Sequence, residues 1–296
     1  MHRQIVVLIF LLSLTTVATA KPAVTEMPIT FQNGVVIVDA TIKDNVPVRM
    51  ALATGGEYSF TDPSLLEKYN LRASYAADGP VTGRNDKTYT FTMVSVRVGD
   101  SKSKNLNLRF GSMAALTKLA GQEIFGTLGV DFFEGQIIQF DLKNKVMRFI
   151  EKTPVDLVDK NGDPAAGNTI VLRMAPKPTS AFQKTYQMPL VRDVLFNGQK
   201  ANVMFDTGMA TAIAVSSSAA KKIGLTVPAD TARAEKLTLR LEPQEFTNVP
   251  AWIYAKGTGA DELLSKHGIV AGSYLLQEFV ALFDYKKGVI ILERSK

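Results

Sequence analysis

The chain has 296 residues, of which 46% are apolar and 21% are charged, and its formal net charge is +6. This length suffices for one large or two ordinary domains, each able to bury its own core. The positive charge is scattered and forms no basic stripe interleaved with aromatic residues, which argues against a nucleic-acid-binding protein.

The N-terminus has the pattern of a secretory signal. Residues 1–4 form a short basic start, residues 5–14 are an apolar run, and residues 18–20 read Ala-Thr-Ala, a small-x-small cleavage site. The pattern predicts a signal peptide over residues 1–20 and a mature chain that begins near Lys21. We therefore expect an exported protein, periplasmic or secreted, with a retained membrane anchor as the alternative. No later segment is long and apolar enough to span a bilayer, so we expect no stable membrane insertion after the signal is removed.

Cysteine and histidine usage limits the possible chemistry. The sequence has no cysteine, which excludes a cysteine nucleophile and any thiolate metal site. After signal removal only His267 remains, so a multi-histidine zinc site cannot form within one chain. His267 is predicted to lie in a loop before a strand, and the Ser-x-x-Lys spacing at Ser218–Lys221 falls in a segment typical of an ordinary helix. No metal site and no cofactor site is predicted.

Two stretches of the sequence, 153 residues apart, repeat one pattern. The first, "VRMALATGGEYSFTDPS", contains Ala53-Thr54-Gly55, and the second, "ANVMFDTGMATAIAVSS", contains Asp206-Thr207-Gly208. Each three-residue motif follows an apolar run and precedes a short helix-prone segment. Each is also preceded by a two-residue turn signal, Asp44-Asn45 or Asn197-Gly198, between β-prone runs, which predicts a hairpin.

The ends of the two halves are similar at a shift of 143 residues. "TLGVDFFEGQIIQFDLKNKVMRFI" (127–150) aligns with "VAGSYLLQEFVALFDYKKGVIIL" (270–292), and both predict a glycine turn, a short helix and a terminal hairpin. The sequence therefore contains two copies of one mostly-β unit. We predict an N-terminal lobe over residues 21–150 and a C-terminal lobe over residues 169–296. The linker, residues 151–168, gathers proline, glycine and polar residues.

These residues carry a family resemblance. The order of strand, Asp-Thr-Gly, strand and helix, followed by a glycine turn and a terminal hairpin, resembles the retropepsin-like aspartic peptidases in a bacterial-type tandem form. The resemblance covers roughly residues 29–292. It implies a mostly-β fold of two similar acid-protease lobes with short helices, related by a pseudo-twofold axis, with a cleft between the lobes.

The resemblance also implies a chemistry for the two loops. In this family two aspartates, one from each lobe, share a proton, and together they activate a water that attacks a peptide bond. Asp206 matches the catalytic aspartate, and Thr207 resembles the threonine whose hydroxyl binds the opposite loop. Gly208 allows the tight turn to pass close to the carboxylate. Thr54 and Gly55 support the first loop in the same way, and Ala53 occupies the degenerate catalytic position.

Because Ala53 has no carboxyl, a single chain offers only Asp206, and we expect little or no peptidase activity from an isolated monomer. Three hypotheses remain open. Two chains could pair as a homodimer and each contribute Asp206. The protein could be a pseudo-peptidase that binds peptides without cutting them, or an interaction scaffold of the cell envelope. In each case the partner is a peptide or protein.

Several other residues have weaker signals. Glu57 lies beside the degenerate loop and could reach inward. Asp131, Asp141 and Asp284 are expected to bond local backbone at turns. For Trp252, the only tryptophan, packing in a sheet or core is favoured over a substrate contact. The segment over residues 75–91 predicts a hairpin, and it is either a flap over the cleft, with Tyr75 or Tyr89 near substrate, or an exposed loop.

Overall fold

The computed structural model describes residues 24–43, 45–75, 90–154, 169–180 and 185–294. The predicted signal, residues 76–89 of the predicted hairpin and residues 155–168 of the predicted linker lie outside this part of the chain. No helix in the described residues is long and apolar enough to cross a membrane.

The first half of the chain is built mainly from strands. A 3-10 helix spans Pro63–Leu65, and two short helices follow, α1 (Ala114–Ala120) and α2 (Val130–Phe133). The strands are β1 (Val24–Pro28), β2 (Thr30–Gln32), β3 (Val35–Ile42), β4 (Val46–Leu52), β5 (Phe60–Thr61), β6 (Ser74–Tyr75), β7 (Thr90–Val98), β8 (Ser101–Phe110), β9 (Gly126–Leu128), β10 (Ile137–Asp141) and β11 (Val146–Ile150).

The second half has the same character. Its helices are α3 (Ser217–Lys222), α4 (Gly259–Leu264) and α5 (Ser273–Leu276). Its strands are β12 (Thr169–Arg173), β13 (Leu190–Phe196), β14 (Gln199–Phe205), β15 (Ile213–Val215), β16 (Ala232–Leu241), β17 (Gln244–Tyr254), β18 (Ile269–Ala271), β19 (Phe279–Asp284) and β20 (Val289–Arg294).

Each half closes into a six-stranded barrel. In the first half the strand order is β3-β4-β9-β5-β8-β7, and a pairing of β3 with β7 closes the ring. The second barrel has the order β13-β14-β18-β15-β17-β16. The two orders correspond strand for strand. The prediction of a mostly-β chain is confirmed, and two closed barrels of this kind are compatible with two similar lobes.

The predicted hairpin turns lie just before β4 in the first barrel and just before β14 in the second. Asn197 and Gly198 have φ values of 49° and 79°, which is the conformation that a tight two-residue hairpin turn needs. This confirms the second turn. Asp44 is outside the described residues, but β3 and β4 pair antiparallel on either side of it, with Ile42 opposite Val46.

A third sheet joins the two halves. Its order is β1-β11-β10-β19-β20-β12, so each half contributes three strands. At its centre β10 and β19 pair antiparallel, from Ile137 opposite Asp284 to Asp141 opposite Val280. Phe140 and Phe283, both fully buried, pack edge to face across this seam with ring centres 5.9 Å apart. One hydrophobic core therefore runs through both halves.

Candidate functional site

The two repeated motifs lie at the ends of equivalent strands. Strand β4 pairs in parallel with β9, and Leu52 lies opposite Leu128; strand β14 pairs in parallel with β18, and Phe205 lies opposite Ala271. One residue further on, the Ala53 amide donates to Leu128 O and the Asp206 amide to Ala271 O, each at 2.9 Å. The sheet thus presents both loops in the same way.

The two loops meet and bind each other through their threonines. Thr207 donates its amide to Thr54 Oγ1 at 2.9 Å, and the Thr54 amide donates to Thr207 Oγ1 at 3.2 Å. Each hydroxyl then donates to the opposite strand: Thr54 Oγ1 to Phe205 O at 3.2 Å, and Thr207 Oγ1 to Leu52 O at 2.8 Å. Both threonines are fully buried. We call this set of four hydrogen bonds the threonine interlock.

The glycines of the motifs allow the loops to approach closely. A Cβ atom added to Gly55 would lie 2.7 Å from Asp206 Cβ, and one added to Gly208 would lie 2.8 Å from Ala53 Cβ. Both distances are too short for real carbon atoms. The side chains of Ala53 and Asp206 therefore lie on opposite loops in direct packing contact with the other loop's glycine.

Asp206 is held by main-chain amides. Its Oδ1 accepts from Gly55 N of the opposite loop at 3.0 Å and from Gly208 N of its own loop at 2.8 Å. Burial raises the pKa of this carboxyl, and the two amide hydrogen bonds oppose the shift. The residue as a whole is half-buried. Asp206 is therefore a carboxyl that main-chain amides hold in place and whose pKa lies above its ordinary value.

No second carboxyl meets Asp206 in the described residues. Ala53 presents a methyl group from the equivalent position. Glu57 does not turn inward, because its Oε2 accepts from Lys266 Nζ of the other half at 2.8 Å. A proton shared between two aspartates, which the resemblance implies for active family members, cannot form in this arrangement.

Tyr285 is a site residue that the sequence reasoning missed. Its buried hydroxyl donates to Thr54 O at 3.0 Å, which ties the central sheet to the first loop. Burial raises the pKa of Tyr285 well above its usual range, and the charge of Asp206 adds to the shift. The sequence does contain a sign of this difference between the halves. In the aligned tails, at the shift of 143 residues, the hydroxyl-bearing Tyr285 has the apolar Leu142 as its counterpart.

His267 and the Ser-x-x-Lys segment have ordinary environments. His267 lies in the loop before β18, as predicted, and burial followed by the nearby Lys266 charge lowers its pKa. Ser218 and Lys221 are exposed on α3. None of these residues makes a hydrogen bond with the Asp206 loop.

The three aspartates outside the motif do not all behave as expected. Asp141 accepts from the Asn144 amide, and Asp284 accepts from the amides of Lys286 and Lys287, so both bond local backbone. Asp131 differs, because it accepts from the amide and the hydroxyl of Ser59, which is 72 residues away. Its carboxylate therefore holds the segment after the Ala53 loop.

Trp252 lies in β17 of the second barrel, between β15 and β16, so it belongs to a sheet as predicted. The residue is 44% exposed, which excludes packing in the core. Ser74 and Tyr75 of β6 pair with Phe91 and Thr90 of β7, so the two ends of the predicted 75–91 hairpin are joined; Tyr89 lies outside the described residues.

The described residues contain no group of three His, Cys, Asp or Glu side chains that could hold a metal ion. A scan against protein-family models finds no match, and a search of curated proteins finds no similar sequence.

Proposed function

We propose that this protein is of the two-lobed aspartic-peptidase type, and that it binds an extended peptide between its lobes around the single carboxyl of Asp206. Hydrolysis by the chain alone is slow or absent. The observation that supports this most directly is the threonine interlock, because it brings Ala53 and Asp206 into equivalent positions on facing loops. The two closed barrels and their shared sheet are compatible with such a protein.

A lone carboxyl supplies half of the required chemistry. In its ionised form Asp206 can orient a water and accept its proton, but the general acid that would protonate the carbonyl oxygen is missing. The loss of one such group costs about 10²–10⁴ in rate. Burial raises the pKa of Asp206, so at acidic pH a smaller fraction of this carboxyl is ionised and able to accept a proton.

The same geometry argues against a second carboxyl from a partner chain. The Ala53 loop already fills the space opposite Asp206, where even one extra carbon on Gly208 would lie 2.8 Å from Ala53 Cβ. A partner's loop would first have to displace this loop and break the threonine interlock. The peptide-binding hypothesis is therefore favoured over the paired-chain hypothesis, and the scaffold hypothesis is an outcome of the test.

The decisive experiment restores the missing acid. Ala53→Asp is expected to create a coupled pair of carboxyls, one with a raised pKa, and peptidase activity toward a mixed peptide library should rise, most clearly at acidic pH. Asp206→Asn in the same background should abolish that gain. A folded Ala53→Asp protein with no gain and an unchanged Asp206 titration would contradict the proposal.

Binding is tested on the unaltered protein. A fluorescent statine-containing peptide, which mimics the tetrahedral intermediate, should bind saturably without release of products. Activity that rises with protein concentration would instead indicate paired chains. Absence of both binding and products would leave the scaffold as the better explanation.

The location is also a proposal. The predicted signal over residues 1–20 implies a mature protein outside the cytoplasm. Mass spectrometry of the purified native protein should find an N-terminus near Lys21, whereas an intact Met1 terminus on cytoplasmic protein would refute export.

A further inference from the structure

The second half has a pocket of about 660 Å³ next to helix α5. Residues 210–212, which precede β15, form one wall, and residues 245–250 and Trp252 of β17 form another. Its described lining includes no residue of the two three-residue motifs. The volume is typical of small-molecule sites in proteins, so the pocket is a candidate for a second binding site.

The wall over residues 210–212 has a counterpart in the first half. A Cβ added to Gly272 would lie 2.3 Å from Thr211 O, and one added to Gly129 would lie 2.6 Å from Tyr58 O. Thr211 and Tyr58 are also 153 residues apart, as the two motifs are. Residues 210–212 of the pocket wall therefore correspond to residues 57–59.

The first half fills the corresponding place with its own side chains. The Arg109 guanidinium lies over the Tyr58 ring, 3.2 Å from its centre, and the Tyr186 ring packs edge to face on the same ring. In the second half residues 210–212 read Ala-Thr-Ala, which are too small to occupy the same space. The second half therefore leaves open a space whose counterpart in the first half is closed by packed side chains.

Two exposed aromatic residues line the pocket. Trp252 is 44% exposed and Tyr274 is 38% exposed, although side chains of this size are mostly buried on average. Trp252 lies between Ala251 and Ile253, which are both buried, so its side chain is on the outer face of β17. The Phe31 ring packs edge to face on Tyr274 at 5.9 Å and holds its orientation. An exposed ring of this kind is a surface on which the apolar C–H face of a sugar ring can stack.

The pocket also has planar polar side chains, those of Glu245, Asn248, Gln277 and Glu278. None of them makes a side-chain hydrogen bond or an ion pair with another described residue. Carboxylates accept hydrogen bonds, and carboxamides both donate and accept them, so together they match the hydroxyls of a sugar. The one guanidinium in the lining, that of Arg294, lies over the Phe246 ring, 4.9 Å from its centre. Two carboxylates against one guanidinium disfavour an anionic ligand.

We propose that this pocket binds a neutral oligosaccharide. A sugar ring stacks on Trp252, and its hydroxyls bond the carboxylates and carboxamides of the lining. A sugar ring needs an apolar surface and hydrogen-bonding groups at the same time, and the pocket offers both. An organic cation would use Trp252 and the two carboxylates but would leave Asn248 and Gln277 without a role. This site is distinct from the Asp206 site and does not depend on the function proposed for it.

Trp252 makes the test direct, because it is the only tryptophan in the protein and its fluorescence reports on the pocket. The probes are chitotetraose, cellotetraose and maltotetraose, which are neutral and differ in linkage and substituents. We expect at least one of them to give a saturable blue shift of the emission and protection from iodide quenching. The same response should occur in the Asp206→Asn protein, which separates this site from the loop site. No response to any of the three in the folded protein would overturn the proposal.

Calorimetry tests the stacking without the tryptophan reporter. Trp252→Ala should weaken saccharide binding about tenfold or more, because the stacking surface is lost, whereas Trp252→Phe keeps a flat ring and should retain most of the affinity. Gln277→Leu should weaken binding severalfold, because a hydrogen-bonding group is lost. Met93→Ala, at a 52% exposed residue of the first barrel, is the control and should bind like the unaltered protein. A folded Trp252→Ala protein with unchanged affinity would contradict the proposal.

Choline separates a saccharide site from a cation site, because an aromatic ring beside carboxylates also suits a quaternary ammonium group. We expect no fluorescence response to choline. We also expect the saccharide affinity to be the same at low and high salt, since a neutral ligand has no charge for salt to screen. A response to choline, and none to the saccharides, would assign the pocket to organic cations and overturn the proposal.

Discussion

Ala53 and Asp206 occupy equivalent positions in the two facing loops, and the main chain treats them alike. Both amides donate to the neighbouring parallel strand at 2.9 Å, and both loops are fixed by a buried threonine and a closely packed glycine. Only the side chain at the first position differs. The threonine and glycine of each motif therefore build the loop pair, and the pair forms with an alanine at one of the two first positions.

The largest expected effect comes from the packing of the glycines. Gly55→Ala places a methyl group 2.7 Å from Asp206 Cβ, so the loops must move apart. We expect a loss of about 3 kcal/mol in the free energy of unfolding, the upper part of the range for overpacked sites. Gly259→Ala, where an added Cβ meets nothing within 4 Å, is the matched control in urea unfolding. Equal losses would show that the loops are not tightly packed.

The two threonines of the interlock should contribute about equally to the free energy of unfolding. Thr54→Val and Thr207→Val each remove two buried hydrogen bonds and leave an amide unsatisfied, which we expect to cost about 2–3 kcal/mol. The double variant should lose less than the sum, because the two hydroxyls hold the same loop contact, and loosening it by one substitution weakens the bonds that the other removes. Thr30→Val, at an exposed residue of β2, controls for the substitution. Additive losses would mean that the two hydroxyls act independently.

Tyr285 makes a hydrogen bond to the first loop, and its counterpart Leu142 has no hydroxyl with which to do the same at the second loop. Tyr285→Phe removes the hydrogen bond to Thr54 O and should cost about 1 kcal/mol. Tyr274→Phe, at a residue that is 38% exposed, is expected to have no measurable effect. The measurement is the free energy of unfolding of both variants by chemical denaturation at neutral pH. An unchanged value for Tyr285→Phe would show that this hydrogen bond does not contribute to stability.

The smallest effect is a pH dependence that only the second loop should show. Burial raises the pKa of Asp206 in the folded protein above its unfolded value, so its contribution to stability is greatest at acidic pH and falls as the pH rises through the folded pKa. Asp206→Asn removes this term, and its amide oxygen can still accept from Gly55 and Gly208. Relative to the unaltered protein, the variant should therefore gain stability between pH 3 and pH 7.

Asp39→Asn, whose carboxylate is 93% exposed, controls for the loss of a negative charge in the same pH series. A difference between Asp206→Asn and the unaltered protein that stays constant with pH would contradict a raised pKa at Asp206.

Local chemistry made part of this structure predictable. The Asn197-Gly198 turn follows from residues that tolerate positive φ, and the mostly-β architecture follows from apolar runs between turn signals. Other contacts between distant segments were not predictable, since the Ser59–Asp131 bond and the Glu57–Lys266 pair depend on how barrels and loops pack. The choice between sheet and core for Trp252 was open for a related reason: alternation gives a strand two faces, but only the tertiary structure decides which one is buried.

The shared sheet has a consequence for the order in which the chain folds. Strand β10 needs β19 as its neighbour, and Val280 follows its partner Asp141 by 139 residues. At ribosomal rates this separation corresponds to on the order of 10 s of synthesis, during which an edge that contains Ile137, Ile138 and Phe140 has no partner. Unpaired apolar edges recruit other strands. A nascent chain released after β11 would therefore tend to associate with its own copies through this edge, so completion of the second half also protects the first from self-association.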